Sequence, residues 1–140
     1  MSFNKWLQPI MSKRLKVTLL VILALISVLV ITTIFIFQNI NKELEGLSNI
    51  TIESLDLSEV SDGTYHGTYE TMVIKVIVDV EVQNHQIIAI TIVEHQNGQG
   101  DPADAIVDDV IEAQSLDVDL IVGATYSSRV ILLAIEDALK

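Results

Sequence analysis

The sequence contains no cysteine, which excludes disulfides, iron–sulfur clusters and thiolate metal sites. Basic residues are scarce too: 8 Lys+Arg stand against 19 Asp+Glu in 140 residues, a formal net charge of −11. Four of them, Lys5, Lys13, Arg14 and Lys16, fall in residues 1–16, where there is no acid, for a charge of +4. The remaining four face all 19 acids in residues 17–140, for a charge of −15. Neutralising phosphates takes a basic face, so no nucleic-acid partner is expected. The histidines His66, His85 and His95 lack ligand spacing, and no His or further acid closes a set around Asp104, Asp108, Asp109 and Glu112. No metal site is expected, and no catalytic dyad can be identified. Hydrophobic residues, by contrast, make up 50% of the chain, the opposite of a disordered composition.

Much of that excess lies in one place. Residues 17–37 read VTLLVILALISVLVITTIFIF, 21 residues without a charge. At ~1.5 Å rise per residue such a helix covers roughly 30 Å, the thickness of the hydrocarbon core. Its hydroxyls (Thr18, Ser27, Thr32, Thr33) can bond their own helix backbone. A secretory h-region is shorter, about 7–15 residues, and ends at an A-x-A-like site, which QNINKELEG after Phe37 does not supply. The basic residues before the span place the N-terminus in the cytoplasm by the positive-inside rule, and everything from about Gln38 outside. Trp6 and Leu7 would add an interfacial contact. The expected organisation is a cytoplasmic basic tail (1–16), a transmembrane helix (17–37), a stalk (38–60) and a compact domain (61–140) in the cell membrane's outer compartment.

In the domain, Met72, Ile74, Val76, Val78, Val80 and Val82 all fall on even positions, with Lys75, Asp79 and Glu81 between them. This period of two predicts a strand with one packed face. Gln83-Asn84-His85-Gln86 interrupts it and residues 87–93 resume a β-branched run, which predicts a hairpin whose turn uses Asn84 in a left-handed conformation. His85 reads as a turn residue. EHQNGQGDP reads as a loop, followed by Asp101 as N-cap, Pro102 at the first helical position, and Ala103, Ile106, Val107, Val110 and Ile111 on one helical face. The acids between them read as a solvated face. Residues 118–122 suggest a short strand, and a second helix is expected from about Arg129 to Leu139, whose VILLAI core implies burial on several sides. The fold class is α+β: a small antiparallel sheet with helices packed on it, preceded by one transmembrane helix.

Between those last two elements lies Gly123-Ala124-Thr125-Tyr126-Ser127-Ser128. Gly123 would let a ligand approach the backbone, Thr125 offers a hydroxyl, and Ser127 or Ser128 can cap a helix whose free N–H groups favour an anion. A loop that merely turns and caps has the same composition. The wider string, Asp117-Val-Asp119-Leu-Ile-Val-Gly123-Ala-Thr125-Tyr-Ser-Ser128, closely resembles the FMN-binding domain family, which includes the C subunit of sodium-pumping NADH:quinone reductase and the G subunit of Rnf complexes. Its pattern, Asp-x-x-Ser/Thr-Gly-Ala-Thr, falls on Asp119, Gly123, Ala124 and Thr125, with Val122 where the family has Ser or Thr. DGTYHGTY (62–69) resembles the family's opening, and the resemblance spans about residues 61–140. The Val93-Glu94-His95 segment falls where the family has its flavin-side loop.

This resemblance implies FMN as cofactor, joined to Thr125 by a phosphoester bond that a flavin transferase of the ApbE type installs. It also places Asp119, Gly123 and Ala124 around the cofactor; Tyr126, by its position directly after the acceptor, and Ser127 and Ser128, at the helix start, are further cofactor-binding candidates. His95 would hydrogen-bond the flavin or be an exposed loop histidine; Tyr65 and Tyr69 would stack on the ring or pack in a core; Arg129 would meet the phosphate or be solvated. The expected function is a membrane-anchored extracytoplasmic flavoprotein that carries electrons between membrane or extracytoplasmic redox partners, a carrier rather than a stand-alone enzyme. The alternative is a flavin-free binding or sensory module on the same fold.

Overall fold

The protein is described by a computed structural model at residues 13–96 and 101–140. The N-terminal segment with Trp6, the loop residues 97–100 and the side chain of Asp101 lie outside the described residues. The chain divides after Asn39 into two compact units.

Helix α1, Lys13–Ser48, is long and apolar enough to cross a membrane: its most apolar 18-residue window has a mean hydropathy of 3.1 and is nowhere buried against the protein. Its hydroxyls behave as expected. Thr18 Oγ1 donates to Arg14 O (2.9 Å), Ser27 Oγ to Ala24 O (2.7 Å), and Thr32 and Thr33 Oγ1 to Leu29 O (2.8 Å each), so none asks lipid for a partner.

The second unit is built on three antiparallel strands in the order β1 (Gly63–Glu70), β2 (Lys75–Gln83), β3 (Gln86–Gln96). Val76, Val78, Val80 and Val82 are at most 1% exposed, as the period of two requires. The hairpin turn is left-handed at two residues, Asn84 (φ 51°) and His85 (φ 60°), the conformation of a type I′ turn, whose twist matches that of the strands. Asp62 Oδ1 accepts the Asn84 N–H at 2.7 Å, and His85 Nδ1 lies 3.2 Å from both Leu57 O and Val60 O. Carbonyls only accept, so His85 Nδ1 carries the proton. The run 87–93 is less regular than its sequence suggests: register shifts between Ile77 and Val78 and between Glu81 and Val82 leave Val93 and Ile88 without partners as bulges.

After β3 come a 3₁₀ turn, Asp101–Ala105, and α2, Ile106–Ala113, which buries Ala103, Ile106 and Val110 as the helical spacing predicts. Gln114 ends α2 in a left-handed conformation (φ 53°) and clamps β3: its Oε1 accepts from Ile87 N and its Nε2 donates to Ile87 O, both at 2.8 Å. The last helix, α3, runs Thr125–Leu139, and Val130–Ile135 are all buried.

Helix α3 lies against β1 and β2. Gly67 makes this approach possible, since a Cβ there would sit 2.1 Å from Ala134 O and 2.6 Å from Ala138 N. Asp137 then accepts the Thr68 N–H at 3.0 Å, which satisfies an outer backbone group of β1.

Two expectations change here. Residues 118–122 form no strand; Val118, Leu120 and Ile121 are half-buried against the core, and the Ile121 N–H donates to Ser128 Oγ (3.2 Å) instead of to a ladder. Residues 38–60, expected as a stalk, are helical through Ser48. Their apolar residues Leu44, Leu47, Ile52, Leu55, Leu57 and Val60 pack on the core, with Leu47 3% exposed.

Candidate functional site

The Gly-Ala-Thr segment forms a tight turn that launches α3. Ala124 N–H donates to Ile121 O at 3.0 Å, which closes a turn over Ile121-Val122-Gly123-Ala124. Gly123 sits at its third position with φ 83°, the value a type II turn demands there, so this position needs glycine for its backbone. The space above it is open: an added Cβ would meet nothing within 4 Å. Val122, at the tip, is 97% exposed.

Thr125 is the first residue of α3 and is exposed. Ala124, the N-cap, offers no side-chain hydrogen bond, and the first turn holds no acid. A helix start with no capping side chain presents free N–H groups and the positive end of the helix dipole, which suits an anion on the Thr125 hydroxyl. Tyr126, beside it, is 37% exposed.

Ser127 and Ser128 do not cap the helix. They are 5% and 0% exposed inside its first turns, and Ser128 instead ties the launching turn to the helix through Ile121. Asp119 is exposed and lines an acidic groove with Asp109, Glu112 and Asp117. Among the described residues no group of three or more His or acid side chains is arranged to hold a metal ion. The structure thus gathers Gly123, Ala124, Thr125 and Tyr126 at one surface turn, turns Ser127 and Ser128 inward, and sets Asp119 in the acidic groove.

Arg129 is neither a plain solvated side chain nor a free phosphate ligand. Its Nε donates to Leu47 O at 3.0 Å and its Nη2 to Ile50 O, capping the last turn of α1 with a cation where the helix dipole is negative. Tyr65 and Tyr69 are half-buried against the core, and the Tyr65 hydroxyl donates to Ser61 O at 2.8 Å.

His95 departs furthest from expectation. It belongs to β3, not to a loop, and faces the core side of the sheet opposite Val76. Its side chain is 5% exposed, its Nδ1 lies 2.6 Å from Asp104 Oδ1, and its Nε2 is buried without a partner. The Asp104 carboxylate accepts, so Nδ1 carries the proton in that contact. Nothing in the sequence pairs these two residues across the intervening Gly-containing segment.

The fold and this turn define a class: a small α+β domain that presents a hydroxyl at an uncapped helix N-terminus, a build suited to a phosphate-bearing cofactor. A family model described as FMN-binding domain matches residues 69–140, just over half of the chain, and the protein belongs to that family. The match covers β2, β3, α2, α3 and every residue of the turn. No curated protein matches the chain.

Proposed function

We propose that this protein is a membrane-anchored flavoprotein that carries electrons at the outer face of the cell membrane through FMN esterified to Thr125. The observation that carries the reading is the exposed Thr125 hydroxyl at the uncapped start of α3, behind a turn that only Gly123 can make, within a domain of the FMN-binding family. When bound, FMN supplies the redox chemistry. The chain's residues hold it: Thr125 anchors the phosphate, the N–H groups of the first turn of α3 receive its charge, and Gly123 leaves the approach open. Esterification by a flavin transferase of the ApbE type makes physical sense outside the cell, where a dissociated flavin is not easily replaced. The redox partners are then membrane or extracytoplasmic components, and orientation follows from Lys13, Arg14 and Lys16 preceding the span.

The test is expression with an active flavin transferase, followed by denaturation, in-gel flavin fluorescence and mass measurement. Wild type is expected to gain the mass of FMN less water. Thr125→Ala is expected to lose the signal entirely, while Ser127→Ala and Ser128→Ala keep it; an unlabelled wild type would instead support the flavin-free module. Because Val122 is exposed, Val122→Thr restores the family's hydroxyl without disturbing packing and is expected to raise the labelled fraction. Orientation is tested by Glu59→Cys in this cysteine-free chain, with an impermeant maleimide expected to label it on intact cells.

A further inference from the structure

Ile40, Glu43, Leu44 and Leu47 fall on one face of α1 at the i, i+3, i+4, i+7 spacing, and all four are half-buried or buried, whereas Asn41, Lys42 and Glu45 between them are exposed. The folded domain therefore takes hold of this helix at Ile40, three residues past Phe37, the last of the uncharged run. Three residues rise ~4.5 Å in a helix and reach about 10–11 Å when fully extended, so the chain itself bounds the distance to the end of the span. That is close to the depth of the headgroup layer, about 5–7 Å beyond the hydrocarbon core.

One turn of the domain is bound to this stretch. Between β1 and β2, Met72 N–H donates to Glu43 Oε1 at 2.8 Å, one helical turn beyond Ile40. Residues 71–74 carry no charge, and the turn exposes two adjacent apolar side chains, Met72 (61%) and Val73 (39%), while Ile74 roots it in the core. Its backbone donors are all engaged. Thr71 N–H donates to Ile74 O (2.7 Å), and the N–H groups of Ile74 and Val73 donate to Thr71 Oγ1 (2.9 and 3.4 Å). Such a turn can enter a low-dielectric boundary without stranding an N–H. The opposite end of the sheet has no such character: its turn, Gln83-Asn84-His85-Gln86, is polar and tied to Leu57, Val60 and Asp62.

Taking α1 as a membrane span, and independently of the flavin, we propose that the β1–β2 turn is a membrane-contact surface, with Met72 and Val73 entering the headgroup–acyl boundary of the bilayer that α1 crosses. The contact is apolar and does not select anionic headgroups: Lys75, which follows the turn, is paired with Glu94 at 3.1 Å, and Glu70, which precedes it, is exposed. The domain is then held to the bilayer at two points, the helix and the turn, which restricts its tilt.

The experiment uses the full-length chain, which has no cysteine of its own, reconstituted at low density in phosphatidylcholine vesicles. Met72→Cys, Val73→Cys and Gln83→Cys each carry one environment-sensitive fluorophore. All three positions are exposed, so labelling leaves the packing intact, and Gln83 lies at the far end of β2, eight residues or roughly 26 Å along the strand from Lys75. Nitroxide-bearing lipid is expected to quench the labels at 72 and 73 several-fold more than the label at 83, and their emission should lie to the blue of it. Equal quenching at all three positions would overturn the contact. A blue-shifted label at 72 that lipid nitroxide does not quench, the signature of a protein occupant such as a second copy of the chain, would overturn it as well. An alkaline wash of the vesicles separates the two levels: a chain that washes off overturns the span, whereas an integrated chain with unquenched labels at 72 and 73 overturns the turn contact alone.

Discussion

On the side of α3 that meets the sheet, contact is made by Gly67, the valines of β2 and the small residues Ala134 and Ala138. On the opposite flank the same helix is tied down by side-chain bonds to backbone. Arg129 donates to Leu47 O and Ile50 O, Glu136 accepts the Glu53 N–H at 3.2 Å, and Ser128 accepts from Ile121. The dry side depends on shape, where a single methyl is too much. The polar side depends on partners that each satisfy one or two main-chain groups.

If shape governs the first side, Gly67→Ala should be the most damaging small substitution in the protein. The new methyl would meet Ala134 O at 2.1 Å, backbone that cannot step aside, and a loss of about 3 kcal/mol or outright failure to fold is expected in thermal or denaturant unfolding. Ile131→Ala, which leaves a cavity in the 0%-exposed core, should cost about 2–5 kcal/mol by the same measurement.

The polar side should respond more mildly and more selectively. Arg129→Met removes the donors to two carbonyls and should cost about 1–3 kcal/mol; Arg129→Lys should not restore the loss, because a single ammonium cannot reproduce the fork. Glu136→Gln keeps an acceptor for Glu53 N–H and should cost less than Glu136→Ala.

The smallest effect is a pH dependence. Hydrogen bonds to Glu136 and then Glu53 hold the Lys140 ammonium above its ordinary pKa. The folded state therefore binds this proton more tightly, and the stabilisation is present below the ordinary lysine value, ~10.4, and fades as pH rises through the raised one. The stability difference between wild type and Lys140→Met should be constant from neutral pH to about 9 and shrink above the ordinary lysine value. Asp56 behaves in the opposite sense: the Ser58 hydroxyl, then its N–H, lower its pKa, so its contribution is lost only in acid.

How far the fold could be read from sequence follows the same division. The valine alternation, the Asn84 turn, the helix face at Ile106 and Val110, and the uncharged span were legible because each is a local period or turn preference. The start of α3 was expected at Arg129 and lies four residues earlier, because Thr-Tyr-Ser-Ser reads as loop until Ser127 and Ser128 are buried by tertiary contacts. Residues 118–122 have strand composition but no strand to pair with, and at Ile121 the N–H goes to Ser128, seven residues on, and the carbonyl to Ala124 N–H. Of the candidate site, the glycine and the exposed threonine were readable from residue type. The bonds of Arg129 to residues 79 and 82 positions away, and the burial of His95 against Asp104, are non-local and have no sequence period.

The two bulges of β3 have a consequence for how the protein behaves in a crowd. β3 is an outer strand of 11 residues, long and rich in isoleucine and valine, the kind of edge on which a second chain can nucleate. Ile88 and Val93 each add one residue that no partner matches, so an incoming strand cannot keep a straight register along the whole edge. Excising them would lengthen the regular edge, and with it the template for aggregation.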